Sequence, residues 1–436
     1  MARRLSILAA MCLSACSDEY QLPPLEAVDA SLTPPGADAS FDAQPDVADA
    51  ARPVEAGVDA AFAPSKFDVN HLLGTGQSLS VGYAGTPTLS TTQPFDNLRF
   101  VTGVIAGGSG LTSFVPLTEA GTETLSSSLA NFVRAGAAHR MLVSAHGVSG
   151  IAYSGIKKGT TAYANGLAQV SAAKALCTSQ KLTYVVRGVT NVHGESDHLA
   201  GNTAYASNLA QWQQDYETDV RAITAQTEPV PMFHTQMSSW TKYGQATSAI
   251  PAQQLMATVG SGGKLVLVGA KYHLPYAPDG VHLTNQGYRQ MGEDYAKAYR
   301  RVVLEGQRWE PLRPTSVTRN ANVIRIVFAV PSPPVAFDTS RVAPAAHMGF
   351  EYTDASGSPP AIASVALDGP DAVKIVLAST PTGANKRVRY AFTGVPGASA
   401  GPMTGPRGNL RDSDATPSPH GYSLYNWAVH FDEAVQ

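Results

Sequence analysis

The stretch LLGTGQSLSVG, residues 72–82, decides how this chain is read. An apolar run ends at a Gly-x-Gly, and Ser78 follows two residues later. The pattern is that of a strand that stops abruptly, with glycines that adopt backbone angles other residues resist and a serine left at the sheet's edge. On its own it leaves Ser78 either a nucleophile or a turn serine.

Four more apolar runs repeat the strand pattern. They are HRMLVSA (139–145), LTYVVRGVTNV (182–192), VPMFHTQ (230–236) and KLVLVGA (264–270), joining VNHLLG (69–74). Helix-like stretches lie near 125–138, 161–177, 203–225 and 245–258. Strands alternating with helices of this length imply a parallel five-stranded sheet covered on both faces, a three-layer α/β sandwich. A last helix follows HLT: Tyr288, Met291, Tyr295, Ala298 and Val302 repeat at three- and four-residue steps, Thr284 can cap it and Gly306 can end it. After Pro311 the pattern changes to NVIRIVFAV, AVKIVLAS and KRVRYAFTGV, separated by Pro, Gly, Ser and Asp turns. An all-β sandwich over residues 313–436 is the expectation there.

The beginning of the chain reads as an address. Arg3 and Arg4 precede an apolar stretch from Leu5 to Leu13, and Leu13-Ser14-Ala15-Cys16 closes it. This is a secretory signal, too short to span a bilayer. Its ending resembles a bacterial lipobox, which implies cleavage after residue 15, acylation of Cys16 and a membrane anchor, with the outer membrane favoured because Ser17 follows. From Ser17 to Pro64 the sequence is mostly Ala, Asp and Pro, with ten acidic residues against the single base Arg52. Too little apolar surface is present to offset ordering entropy, so residues 16–66 are expected to be a disordered tether. The α/β domain is then 67–306. The net charge of −3, without any basic cluster, argues against nucleic acid as a partner. Oligomeric state is not legible. Cys177 stands in a helix-like run and is expected to be a small buried apolar residue rather than a nucleophile.

Open parallel sheets place their ligands in the loops after the strands. GTGQSLS is not the Gly-x-Ser-x-Gly elbow of the α/β-hydrolases, since Ser80 stands at the final glycine position. APDGVHLTNQGY changes its meaning by placing Asp279 and His282 three apart, just before the last helix. A serine needs an imidazole to take its proton, and the imidazole needs a carboxylate to fix its tautomer. One short segment supplies both partners. TNVHGESDH, residues 190–198, adds His193, Gly194, Glu195, Ser196 and Asp197 after the longest strand.

With GQSLS, HGESD and DGVHLTNQGY in that order at strand ends, the chain resembles the SGNH hydrolases, in the branch of sialate O-acetylesterases and carbohydrate esterase family six. The resemblance covers about residues 67–305. It implies a flavodoxin-like sheet and a serine esterase acting on acetyl or other short acyl esters, with acylated carbohydrate as the usual substrate and no cofactor. It implies Ser78 as nucleophile, His282 as general base and Asp279 as its orienting carboxylate. The Ser78 N–H is one oxyanion donor. A second comes from SAHGVSG, as Gly147 or Gly150 with Gly150 favoured, and AGGSG at 106–110 is a rival source. His193 stands where the branch often has glutamine and is a candidate third donor. Gln77, Gly194 and Glu195 are supporting residues.

Other readings stay open. One is a lipid-anchored carbohydrate-binding protein without activity, and another is a lipase or thioesterase for longer chains. Metal binding by His146, His193, His273 and His282 lacks the close ligand pairs of zinc sites, so no metal is expected. Tyr83, Trp240, Tyr243 and Tyr272 are candidates to stack on sugar rings.

Overall fold

The computed structural model describes residues 65–436. The expected signal peptide, Cys16 and nearly all of the expected tether lie outside the described residues.

Seven strands form the first sheet: β1 (Val69–Gly76), β2 (Leu98–Phe100), β3 (Phe114–Pro116), β4 (Met141–Ala145), β5 (Tyr184–Val192), β6 (Met232–Gln236) and β7 (Leu265–Ala270), in the order β3-β2-β4-β1-β5-β6-β7. The five expected strands are its contiguous parallel part, β4-β1-β5-β6-β7. The first two swap places, so the chain reverses its direction of winding beside β1, and β1 is where an open sheet holds its ligand. The expected five-stranded sheet is extended at one edge by β2 and β3, the latter antiparallel, which makes it mixed. Three residues each are too few to show a period.

The helices are α1 (Ser126–Gly136), α2 (Tyr153–Ile156), α3 (Thr161–Ser179), α4 (Glu195–Leu199), α5 (Tyr205–Thr224), α6 (Ile250–Gly260) and α7 (Asn285–Tyr299). Strand side chains alternate between two cores. Leu72, Val143, Val192, Phe233 and Val266 join Leu129 of α1 and Met291 of α7. Leu73, Val189, Met232 and Leu265 join Val170 of α3, Trp212 of α5 and Ile250 of α6. Burying each such aliphatic side chain contributes about 1.5–3 kcal/mol, and a one-residue slip would turn both sets to the wrong face. Thr284 caps α7 by accepting the Gly287 N–H at 3.1 Å, and Tyr288, Met291, Tyr295 and Ala298 are all buried. Cys177 lies buried in α3, where burial pushes its thiol up to about 11. No helix among the described residues is long and apolar enough to cross a membrane.

Beyond residue 312 the chain forms only strands and short turns. These strands are β8 (Arg313–Asn320), β9 (Val323–Ala329), β10 (Ala336–Phe337), β11 (Phe350–Thr353), β12 (Ile362–Leu367), β13 (Ala372–Leu377), β14 (Arg387–Tyr390), β15 (Leu410–Arg411) and β16 (Phe431–Ala434). They make antiparallel sheets β12-β13-β9-β8, β11-β14-β16 and β10-β15. Ile324 and Ile375 of the first share a core with Val388 and Phe431 of the second. That core continues into Leu255 of α6, Leu267 of β7 and Tyr272. The β region is therefore fused to the α/β domain through apolar packing.

Candidate active site

Gly76 ends β1 with φ 126°, and a Cβ there would stand 2.4 Å from the Val192 carbonyl oxygen. Only glycine tolerates both. The Gln77 N–H then donates to Val192 O at 3.1 Å, and the chain enters a 3-10 turn over Ser78–Val81. Ser80 reinforces the turn by donating from its Oγ to Gln77 O at 2.6 Å. Ser78 is thus presented at the upper end of the strand where the sheet's order reverses.

From the far side of the sequence, the turn before α7 meets it. Ser78 Oγ lies 2.7 Å from His282 Nε2, and His282 Nδ1 lies 2.7 Å from Asp279 Oδ2. A carboxylate only accepts, so Nδ1 carries the proton and Nε2 presents a lone pair to the serine. Asp279 Oδ1 also accepts the Val281 and His282 N–H groups, each at 2.9 Å. Burial opposes the charge on Asp279, but these N–H bonds and the imidazole outweigh it and hold the carboxyl below its usual range. Tyr83 closes one side. Its ring is 4.5 Å from that of His282 and it is 57% exposed, while its carbonyl is held by Tyr288 Oη at 2.8 Å.

The HGESD loop is different. His193 is 1% exposed, its Nε2–H donates to Ile151 O at 3.0 Å, and its Nδ1 is 2.8 Å from Tyr205 Oη. Both ring nitrogens are taken, so the expectation of His193 as an oxyanion donor is corrected: the ring has no N–H left to offer. Glu195 is also 1% exposed and pairs with the fully buried Lys271 at 3.1 Å. Burial opposes its charge, yet Lys271 and neighbouring hydrogen bonds pull Glu195 below the usual carboxylate range. Asp197 accepts from Tyr153 N at 2.8 Å and from Asn202 Nδ2 at 2.6 Å. One bond links the loop to the residue before the serine: the Ser196 N–H donates to Gln77 Oε1 at 3.2 Å. Gly194, with φ 141°, packs against Ile250 and Met237.

Of the two strand-end glycines, Gly150 lies in an exposed turn with φ 69° and nothing within 4 Å of a Cβ there. Gly147 lies against the serine turn, where a Cβ would come within 2.0 Å of Ser80 Oγ. Trp240 and Tyr272 are buried and present no face to a sugar, and Tyr243 is half-buried. His146 bonds Tyr216 and His273 bonds Asp294. Among the described residues no group of three His, Cys, Asp or Glu side chains is arranged to hold a metal. Lys271 escaped the sequence reading, because a lysine closing an apolar strand ordinarily marks its exit to solvent.

Residues 125–301 match the family described as carbohydrate esterase, sialic acid-specific acetylesterase. The matched stretch contains Asp279 and His282, and Ser78 precedes it. No curated protein matches the chain. Among solved structures, the carbohydrate acetylesterase XAC1771 from Xanthomonas citri is similar at 14% identity and TM-score 0.56, over 84% of this chain and 80% of that one. At this identity the likeness speaks to fold, and its extent takes in both the α/β domain and much of the β region. An Arabidopsis thaliana protein, AT4G34215, is 17% identical over 53% of this chain and 97% of its own, with TM-score 0.41. Residues 125–301 thus carry the likeness to the sialic acid-specific acetylesterases among the carbohydrate esterases, and the protein is a carboxylic ester hydrolase.

Proposed function

We propose that the protein removes acetyl or similarly short acyl groups from carbohydrate by a Ser-His-Asp mechanism. The observation that carries this reading is the unbroken chain from Ser78 Oγ through His282 to Asp279, with both links at 2.7 Å. Ser78 Oγ attacks the ester carbonyl as His282 Nε2 takes its proton, and Asp279 stabilises the imidazolium. His282 then protonates the departing sugar oxygen, leaving an acyl-serine. Water, deprotonated by the same nitrogen, releases the carboxylate and restores Ser78.

The negative oxygen of each tetrahedral intermediate needs preorganised donors. The Ser78 N–H is one. For the second, contact with the serine turn favours Gly147 over Gly150. The scheme uses no cofactor. The carbohydrate assignment is supported by the family's description and by the exposed Tyr83 ring beside His282, a face on which a sugar can stack. In this reading the antiparallel sheets form an accessory sandwich. Acylation at Cys16 would hold the enzyme at the bacterial envelope; labelling with a radioactive fatty acid, absent in Cys16→Ala, tests that location.

Hydrolysis of p-nitrophenyl acetate, butyrate and octanoate tests the activity, with Ser78→Ala beside the parent. The expected result is acetate turnover that vanishes in the variant. A steep preference for octanoate would overturn the short-chain assignment, and folded protein that cleaves none of the three would favour a binding protein.

A further inference from the structure

The β region reaches the catalytic turn. Between β14 and β15, residues 394–405 (GVPGASAGPMTG) lie along the α/β domain. The Gly394 N–H donates to Ala246 O at 2.9 Å and the Gly397 N–H to Thr241 O at 2.7 Å. Thr241 Oγ1 answers by donating to Ala398 O at 2.8 Å. The Ala400 N–H then donates to Gly280 O at 2.9 Å. Gly280 is the residue between the carboxylate and the imidazole segment of Asp279-Gly280-Val281-His282.

The fit there is close. Gly280 has φ 72°, and a Cβ on it would stand 2.3 Å from Ser399 Oγ and 2.8 Å from Ser399 Cα. Next along the strap, Gly401 packs against the Tyr276 ring, which precedes the turn. The strap is braced on its own side as well: Thr404 Oγ1 donates to Ser399 O at 2.7 Å, and the Ala343 N–H to Pro402 O at 2.8 Å. Within the turn, the Gly280 N–H is bound to Ala277 O and the Ala277 N–H to His282 O. The Gly280 carbonyl points outward, and a different region of the chain takes it.

We propose that residues 394–405 are a positioning element of the esterase, setting the Asp279–His282 turn against Ser78. This rests on the Ser-His-Asp reading above and extends it: the β region is needed for turnover of even the smallest ester, independently of any hold on glycan. Reacting groups must be held within a fraction of an ångström, and misplacement by about 1 Å can cost on the order of 100-fold in rate.

The test measures kcat and KM of the full chain on vinyl acetate, which offers no sugar to bind. Ala400→Pro deletes the donor to Gly280, Ala400→Gly keeps it, and Thr241→Val removes only the outlying hydroxyl. The expected result is a kcat lower by about tenfold or more in Ala400→Pro with KM little changed, a smaller fall of about threefold in Thr241→Val, and rate retained in Ala400→Gly. Circular dichroism and melting temperature check folding. Wild-type kcat in folded Ala400→Pro, or an equal loss in Ala400→Gly, overturns the proposal. Should Ala400→Pro not fold, Thr241→Val decides: unchanged kcat overturns, a fall at constant KM supports. Failure of the underlying mechanism looks different, as parent turnover that survives Ser78→Ala, and the proposal falls with it.

Discussion

Two loops leave neighbouring parallel strands at the same edge of the sheet, and the sequence marks both as polar and glycine-rich. The loop after β1 ends in a hydroxyl whose partner is the imidazole of His282. The loop after β5 ends in His193, Glu195 and Asp197, each buried and each bound to the protein itself. Reactivity needs a group whose bonding is completed by substrate; the groups of the second loop are turned to partners within the protein, with Glu195 bound through Oε1 while its Oε2 is buried without a hydrogen-bond partner among the described residues. Polar residues beside a site therefore divide by what they touch, and residue type alone does not sort them.

The comparison breaks first at Ser78. If the first loop carries the chemistry, Ser78→Ala lowers kcat on p-nitrophenyl acetate by on the order of 10⁶-fold, since nucleophile and base act as one unit. Its melting temperature should stay near that of the parent. A variant retaining even a hundredth of the rate would remove Ser78 from the mechanism.

In the second loop the expected loss is of folding. Lys271→Met leaves Glu195 charged, buried and unpaired, and breaking such a pair costs about 3–5 kcal/mol, read from urea unfolding. The deficit also has a pH signature. Glu195 titrates below its ordinary 4.5 in the folded protein, so the stability it contributes is present above that value and is lost as pH falls through the folded pKa. In the variant the lone carboxyl takes up a proton more readily. The gap between parent and Lys271→Met should narrow on acidification toward pH 4.5; a constant gap would mean that the pair's charge is not what stabilises this loop.

These loops also show where a sequence is legible. β1, β4, β5, β6 and β7 are five to nine residues long and largely apolar, so they announce themselves, whereas the three-residue β2 and β3 carry too little pattern. Asp279 and His282 are readable because their partnership is local, a spacing of three within one turn. Ser78 becomes readable only when paired with them. His193 misleads because nothing near it in sequence says that Ile151 and Tyr205 will consume its nitrogens. Lys271 and the strap at residues 394–405 are further cases of the same limit, since their meaning lies in residues 76 and over 100 positions away.

His193 gives a sharper cut. An oxyanion donor, when removed, costs about 10² to 10³ in kcat. His193→Asn should instead leave kcat close to that of the parent and lower stability by about 1–3 kcal/mol, because Ile151 O and Tyr205 Oη lose their partner. A collapse of kcat with unchanged melting would return the second loop to the chemistry.

The smallest effect belongs to Tyr83, which follows the first loop and shares its openness. Its ring is more than half exposed although its backbone is fixed at both ends, the N–H to Ser78 O at 3.1 Å and the carbonyl to Tyr288. A fixed backbone with an uncovered ring offers a face for stacking, and under the proposed carbohydrate reading the group it meets beside His282 is the ring bearing the ester. Tyr83→Ala should raise KM for an acetylated sugar by about threefold to tenfold, the scale of about 1 kcal/mol for an aromatic contact. Vinyl acetate, which has no ring to stack, separates the two roles the side chain could play. An equal loss on both substrates would mean that Tyr83 serves by packing on His282, and the line between reactive and supporting residues would then run through the first loop itself.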